Sequence, residues 1–265
     1  MKTSKITGKR IIEYLGKGKR FDGRKLDEYR NLSIETGVSK NAEGSARVKL
    51  GETEVLVGIK MGMGTPYPDS PDKGNMMVTV ELLPLSSPKY ELGPPQFNSI
   101  EMARVLDRVV RESKYIQLDK LCVEKGEKVW TVFIDVYAIN DAGNLFDAAG
   151  FGIMAALKNA KIPKYDTKAE KVLFGELSDK SLPVAKNNPL SLTYSKIGEH
   201  IIVDPTTEEE DLIDTRVTIG SSNGIISSMQ KGKEVSLEIE EFNKILDLNE
   251  VIWKEMFKKF EKELK

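Results

Sequence analysis

The sequence is poor in the residues that most often do chemistry. It has one cysteine, Cys122, and one histidine, His200, in 265 residues. A lone cysteine excludes an intrachain disulfide and points to a reducing, cytoplasmic setting. Cys122 itself reads as a small buried apolar residue. A zinc cluster of cysteines and histidines needs more ligands than one of each. A Ser-His-Asp triad would have to use His200, which opens an apolar stretch that reads as a strand. No metal and no cofactor is therefore expected. Charge of one sign is also missing: 40 Lys and Arg face 41 Asp and Glu, for a net charge of −1. Any nucleic-acid binding must then come from a local basic patch. No apolar run approaches a membrane span. Residues 1–5 are not followed by one either, so no signal peptide and no membrane contact are expected.

What is present is an ordinary globular composition, 40% hydrophobic and 31% charged, enough for one large domain or two smaller ones sharing a core. The most informative stretch is residues 97–113. Arg104, Arg108 and Arg111 recur at i, i+4 and i+7, which places them on one face of a helix. Ile100, Ala103, Leu106, Val109 and Val110 suit a core on the other sides. Guanidinium groups fit phosphate oxygens bidentately and keep their charge at any working pH.

Along the chain, residues 4–15 read as an amphipathic helix with Ile6, Ile11, Ile12 and Leu15 inward. Residues 16–24 follow as a basic loop with an Asp-Gly turn. Residues 32–35, 45–50, 55–60 and 76–83 read as strands, the second and third as a hairpin. Residues 62–74 are rich in Gly, Pro and Asp and read as a surface loop. Pro94 and Pro95 suit the opening of the arginine helix. Residues 129–139 are apolar nearly throughout and read as a central strand. Residues 146–160 form a small-residue helix that Pro163 ends, and residues 164–186 read as irregular. Strands at 190–197, 200–203, 215–220 and 225–230 follow, then a long helix over 240–263. Its expected inward residues are Phe242, Ile245, Leu246, Val251, Ile252, Met256, Phe257 and Phe260. The expected fold class is α+β, with two duplicated β-α halves of mixed sheet packed with helices. The expected division is a helix and basic loop over 1–24, a first half over 25–163, a connector over 164–186 and a second half over 187–265.

Five blocks, in order, resemble the RNase PH superfamily: Phe21-Asp22-Gly23-Arg24, residues 44–58, residues 100–113, residues 130–136 and residues 202–210. The resemblance runs from about residue 16 to the end. Within that superfamily the chain is most similar to the ring subunits of the archaeal exosome that lack the reactive site. The resemblance implies a fold of paired β-α units and a hexameric ring, a trimer of heterodimers. The ring alternates this chain with a catalytic RNase PH-like paralogue, and RNA-binding cap subunits sit on one face. Single-stranded RNA is then degraded from its 3′ end by inorganic phosphate. The resemblance also assigns Arg104 and Arg108 to backbone contacts with that RNA. Arg111 is a further candidate, one turn along, and ion pairs with Glu101, Asp107 or Glu112 are the alternative for all three.

No catalytic residue is expected. Active relatives start the small-residue helix with Gly-Thr-Arg or Gly-Ser-Arg, an anion cradle of free N–H groups plus a guanidinium. Here the matching segment is Asp141-Ala142-Gly143-Asn144-Leu145-Phe146-Asp147, with no arginine and with Asp147 expected to repel an anion. Active relatives also carry an Asp just before a Leu-Pro-Val-Ala-like segment and another upstream. This chain has Ser181 before Leu182-Pro183-Val184-Ala185, with Gly175 near the upstream position and Asp179 out of register. Each such electrostatic group is worth roughly 10²–10³ in rate. Two alternatives remain open at this point: an active phosphate-dependent exoribonuclease, or a free-standing RNA-binding protein. The cluster Lys17, Lys19, Arg20, Arg24 and Lys25 reads as a solvated or subunit-docking segment. Glu208, Glu209, Glu210 and Asp211 read as a helix start that complements the dipole.

Overall fold

The structure is a computed structural model that describes residues 3–166 and 169–264. Helix α1 (Lys5–Leu15) is capped by the Ser4 hydroxyl, which accepts the Thr7 N–H at 3.1 Å. It buries Gly8, Ile11 and Leu15 against Ile197 and Ile202. The buried stripe is narrower than expected, because Ile6 and Ile12 face solvent.

The first sheet contains β1 (Leu32–Thr36), β2 (Gly44–Leu50), β3 (Thr53–Gly64), β4 (Asn75–Leu82), β5 (Cys122–Glu124) and β6 (Lys128–Asn140). Its order is β1-β2-β3-β6-β4, with β5 also on β6. The β2–β3 hairpin closes at Leu50 opposite Thr53. β6 lies inside the sheet, antiparallel to β3 and parallel to β4. Its apolar run follows from that interior position: one face is buried and the other, with Phe133, Tyr137 and Ile139, is half-buried. Cys122 is half-buried at the start of β5 rather than in the core. Helix α2 (Phe97–Glu112) begins after Gln96, so Pro94 and Pro95 precede it and do not form its first turn.

Helix α3 (Leu145–Asn159) is buried over almost its whole length and forms the layer between the two large sheets. Its small residues permit this. A Cβ on Gly152 would lie 2.6 Å from Val57 Cγ2, and one on Gly150 would lie 2.9 Å from Ser191 Cβ. Both distances are well inside van der Waals contact, and overpacking of this kind costs about 1–3 kcal/mol. Pro163 does not end this helix. The chain runs directly into β7 (Lys161–Asp166), and Pro163 is buried within that strand. β7 pairs antiparallel with β8 (Lys171–Ser181), so the segment read as irregular carries a hairpin. β8 is exposed along most of its length, and a strand with neither face buried leaves no alternation to detect.

The second sheet has the order β10-β9-β11-β12, from β9 (Leu190–Ile197), β10 (His200–Val203), β11 (Thr215–Ser222) and β12 (Ile225–Gly232). Asn223 and Gly224 turn the last hairpin with φ of 50° and 80°, as a type I′ turn requires. The four-residue helix α4 (Thr207–Glu210) has a Thr206/Glu209 capping box. Helix α5 (Ile239–Glu263) closes the structure and buries Ile245, Asn249, Ile252, Trp253, Met256 and Phe260. Trp253 was not among the residues expected inward. Val251 was, and it is 65% exposed. The Phe151 and Phe260 rings stack with centroids 6.1 Å apart, and one apolar core runs through both halves. Among the described residues, no helix is long and apolar enough to cross a membrane.

Candidate functional site

Helix α2 is held between β4 on one side and β11 and β12 on the other. That double contact rotates its buried face toward Ser99, Met102, Val105, Leu106, Val109 and Val110, leaving Ile100 half exposed. The three arginines share the remaining face, but their surroundings differ. Arg104 is exposed and has no hydrogen bond or ion pair through its side chain among the described residues. Arg108 donates from Nη2 to Gln230 Oε1 on β12 at 2.7 Å. Arg111 grips Asp107 with two bonds, Nε to Oδ2 at 2.8 Å and Nη2 to Oδ1 at 2.7 Å. It also donates to the Met76 carbonyl at 3.1 Å. The hydrogen bonds that Arg111 donates to Asp107 raise its pKa further. Glu101, one of three acidic residues on this helix, is neutralised from β11 by Arg216 at 2.7 Å, whose guanidinium lies 4.2 Å from the centroid of the Phe146 ring.

Beside α2 opens a cavity of about 940 Å³. Glu101, Asp141, Asn144, Phe146, Glu210 and Arg216 are on its walls. The start of α3 lies here, where an anion cradle is expected. Asn144 caps the helix in the left-handed conformation, φ 60° and ψ 43°. Its backbone N–H points at a carboxylate of the same chain, Glu210 Oε1, at 2.7 Å. Its side-chain amide donates to Asp147 Oδ2 at 3.0 Å and to Asp204 Oδ1 at 2.9 Å. The Gly143 N–H is also taken, by Asp141 Oδ1 at 3.1 Å, while Asp141 Oδ2 accepts the Tyr90 hydroxyl at 2.7 Å. Burial pushes the Glu210 carboxyl up to about 7; the Asn144 N–H opposes this and the nearby Asp141 adds to it.

Two details revise the sequence reading. Asp147 does not face the cavity as a repelling charge. It is fully buried and accepts Tyr29 Oη at 2.7 Å, Thr193 N–H at 3.1 Å and the Asn144 amide. Burial pushes it up to about 6 against those bonds. Gly143 is needed for internal packing. With φ at 92°, a Cβ there would lie 2.4 Å from the Pro205 carbonyl oxygen, so only glycine fits. None of residues 175–181 lines the cavity, and Asp179 and Ser181 are exposed on β8.

The N-terminal basic cluster divides in two. Arg20 is 2% exposed. It holds both carboxylate oxygens of Glu209 and the carbonyls of Val203 and Asp204, at 2.8 and 2.7 Å. Arg24 and Arg30 both bind Asp204 Oδ2, each at 2.9 Å, and Arg30 adds Asp204 Oδ1 at 2.6 Å. Asp204 is wholly buried with φ at 47°. Only Lys17, Lys19 and Lys25 of the cluster face solvent. The acidic run is likewise divided among partners. Glu209 meets Arg20, Glu210 meets Asn144, and Asp211 Oδ2 accepts the Thr3 N–H at 2.7 Å. Sequence reading missed Arg216, Gln230, Asp204 and Glu210. Arg216 carried one usable signal, a single guanidinium inside an otherwise apolar and small-residue strand.

Two family descriptions match the chain: domain 1 of the 3′ exoribonuclease family, RNase PH, over residues 28–163, and domain 2 over residues 187–249. The exosome complex component Rrp42 of Thermococcus gammatolerans is 48% identical over 240 residues, 90% of this chain and 88% of the relative. The Rrp42 component of Methanothermobacter thermautotrophicus is 44% identical over 244 residues, 92% and 90% of the two chains. Among solved structures, a chain of the Archaeoglobus fulgidus exosome with RNA bound to the active site superposes with a TM-score of 0.89. It is 42% identical over 96% of this chain and 98% of that one. Rice Rrp46, at 18% identity and a TM-score of 0.68, shares the fold. With both domain descriptions matched in order on an α+β fold of two paired halves, the chain belongs to the RNase PH, or 3′ exoribonuclease, family.

Proposed function

We propose that this chain is the non-catalytic subunit of an archaeal exosome ring in the cytoplasm. In this reading it alternates with a catalytic RNase PH-like paralogue and carries RNA-binding cap subunits on one face. It holds single-stranded RNA for 3′-to-5′ phosphorolysis on the neighbouring chain. Similarity to Rrp42 components and to exosome chains over about nine-tenths of the sequence supports the assembly. The observation that carries the non-catalytic reading is the Glu210 carboxylate on the Asn144 N–H. Phosphorolysis needs an inorganic phosphate oxygen to attack the terminal phosphodiester while donors balance its charge. Here one amide donor at that helix start, the Asn144 N–H, is already bound to a carboxyl group of the protein itself. No guanidinium replaces it, since Arg216 is engaged by Glu101 and Phe146.

Arg104 and Arg108 are the RNA contacts in this reading. Among the described residues the Arg104 side chain has no hydrogen bond or ion pair, and Arg108 spends two of its five N–H donors on neutral acceptors, Gln230 and the Arg104 carbonyl. Arg111 supports the helix through Asp107 and is not assigned to RNA. The test is phosphate-dependent release of nucleoside diphosphate from RNA. The purified lone chain is expected to give none, and mixing it with the paralogue is expected to give a ring and activity. Diphosphate release by the lone chain, with contaminating nuclease excluded, overturns the non-catalytic reading. Failure of the two chains to co-elute in gel filtration overturns the ring.

A further inference from the structure

Residues 14–21 form a platform that the proposed function does not use. The loop after α1 is tightly wound. The Gly16 N–H bonds the Ile12 carbonyl at 3.0 Å, and the Lys17 and Lys19 N–H groups both bond the Tyr14 carbonyl, at 2.9 and 3.1 Å. The loop is then anchored by Arg20, whose buried guanidinium is held by Glu209 and two carbonyls. With Arg20 turned in, its neighbours Lys19 and Phe21 are turned out. Phe21 is 51% exposed and meets Tyr14, 38% exposed, edge to face with centroids 5.0 Å apart at 87°. The Lys17 ammonium lies 5.8 Å from the Tyr14 centroid. Arg10 sits one turn before Tyr14 on the same side of α1.

This surface is cationic as well as aromatic. Arg10 and Lys19 have no ion pair among the described residues, and Lys17 has only the ring contact. Within residues 10–22 the carboxylates are Glu13 and Asp22, and Asp22 is tied to Arg24 at 2.7 Å. A protein-docking face places apolar side chains at its centre and depletes charge there. Here two half-exposed rings stand among three cations on a rigid loop. That combination is what non-specific single-stranded nucleic-acid surfaces use, with π-faces for bases and cations for phosphates. We infer that Tyr14 and Phe21, with Arg10, Lys17 and Lys19, form a second contact surface for single-stranded RNA, separate from the arginine face of α2.

The test uses the full chain, alone and assembled with its paralogue, titrated with a fluorescein-labelled oligouridylate over a salt series. Phe21→Leu and Tyr14→Leu keep apolar volume and remove the stacking face. Each is expected to weaken binding by roughly five-fold or more with the salt slope unchanged. Lys17→Gln and Lys19→Gln should each lower the log–log salt slope by about 0.7. An unchanged melting temperature in each variant shows that the loop remains folded. Parental affinity and slope in all four variants overturn the inference. So does a result in which the substitutions release a ring or cap partner while RNA affinity stays the same, since that makes the platform a protein-docking face.

Discussion

The start of α3 lines the cavity and the arginine face of α2 lies outside it; both present groups that suit phosphate, yet they end in opposite states. At α3 the donors of Gly143 and Asn144 are consumed inside the molecule. Glu210 takes the Asn144 N–H, Asp141 takes the Gly143 N–H, and Asp147 with Asp204 takes the Asn144 amide. On α2 the Arg104 side chain has no partner among the described residues and Arg108 has only neutral ones. The presence of donors is therefore a poor guide to anion binding. What decides it is whether a carboxylate of the same chain reaches the donors first. Arg111 shows the same contrast within a single helix, since Asp107 four residues earlier holds it in an intrahelical pair.

Breaking the closed side gives the largest expected effect. Asp204→Ala strands the Arg24 and Arg30 guanidiniums and the Asn144 amide without their shared acceptor. Removing one partner from a buried charge network costs about 3–5 kcal/mol. A fall in melting temperature on the order of 10 °C is expected for a chain this size. A loss within about 1 °C would show that water replaces the carboxylate freely.

The open side is sharpened by a double-mutant cycle between Arg108 and Gln230 in the assembled ring. Arg108→Ala should weaken RNA binding by about 1.5–3 kcal/mol, the range for charge-assisted bonds, and lower the salt slope by about 0.7. Gln230→Ala keeps the charge, so it should cost affinity without changing the slope, and it should cost nothing further once Arg108 is gone. Arg111→Ala should leave both quantities unchanged and lower only the stability of α2. Equal losses from all three single substitutions would erase the distinction drawn between these arginines.

Glu210 supplies the smallest and most specific effect. Its pKa in the fold is raised from 4.5 to about 7, so the folded state binds more protons than the unfolded state between those values. Stability from this group is present below 4.5 and is lost as pH rises through 7. Glu210→Gln keeps an oxygen for the Asn144 N–H and removes the buried charge. At pH 8 it should be more stable than the parent by about 1–2 kcal/mol, with the gap closing toward pH 5. Parallel stability curves for the two proteins across that range would contradict the burial of this carboxylate. Asp147 shifts in the same direction but is present in both proteins and cancels in the comparison.

Much of the architecture was legible in the sequence because it rests on periodicity. The β2–β3 hairpin alternates, β6 is apolar nearly throughout, α3 carries small residues at its contact positions, and α5 repeats at helical spacing. The β7–β8 hairpin was illegible because its exposed strand buries neither face. At the site, Arg104, Arg108 and Arg111 were visible as a row, but their inequality was not. Gln230 lies 122 residues from Arg108, and no local pattern announces such a partner. Arg20 and Arg24 read as a solvated cluster for the same reason, since Glu209 and Asp204 lie 189 and 180 residues away. The absence of an arginine at Asn144, Leu145 and Phe146 could be read directly. That Glu210 fills the gap depends on how α4 folds against α3.

The Asp204 hub also bears on whether the two halves can exist apart. The matched family segments, residues 28–163 and 187–249, invite division between them. Yet Arg30 and Asn144 in the first segment, and Arg24 just before it, share an acceptor in the second, and Gly150 of α3 sits against Ser191. Helix α5 reaches back to β1. A piece ending before residue 187 would expose one side of α3 and leave the Arg20 and Arg30 guanidiniums without their counterions. The exposed β7–β8 hairpin between the segments is a place where the backbone can be nicked at little energetic cost. A molecule cut there would keep its two fragments clasped by the same carboxylate and the same glycine-lined helix, continuous in its core though no longer in its chain.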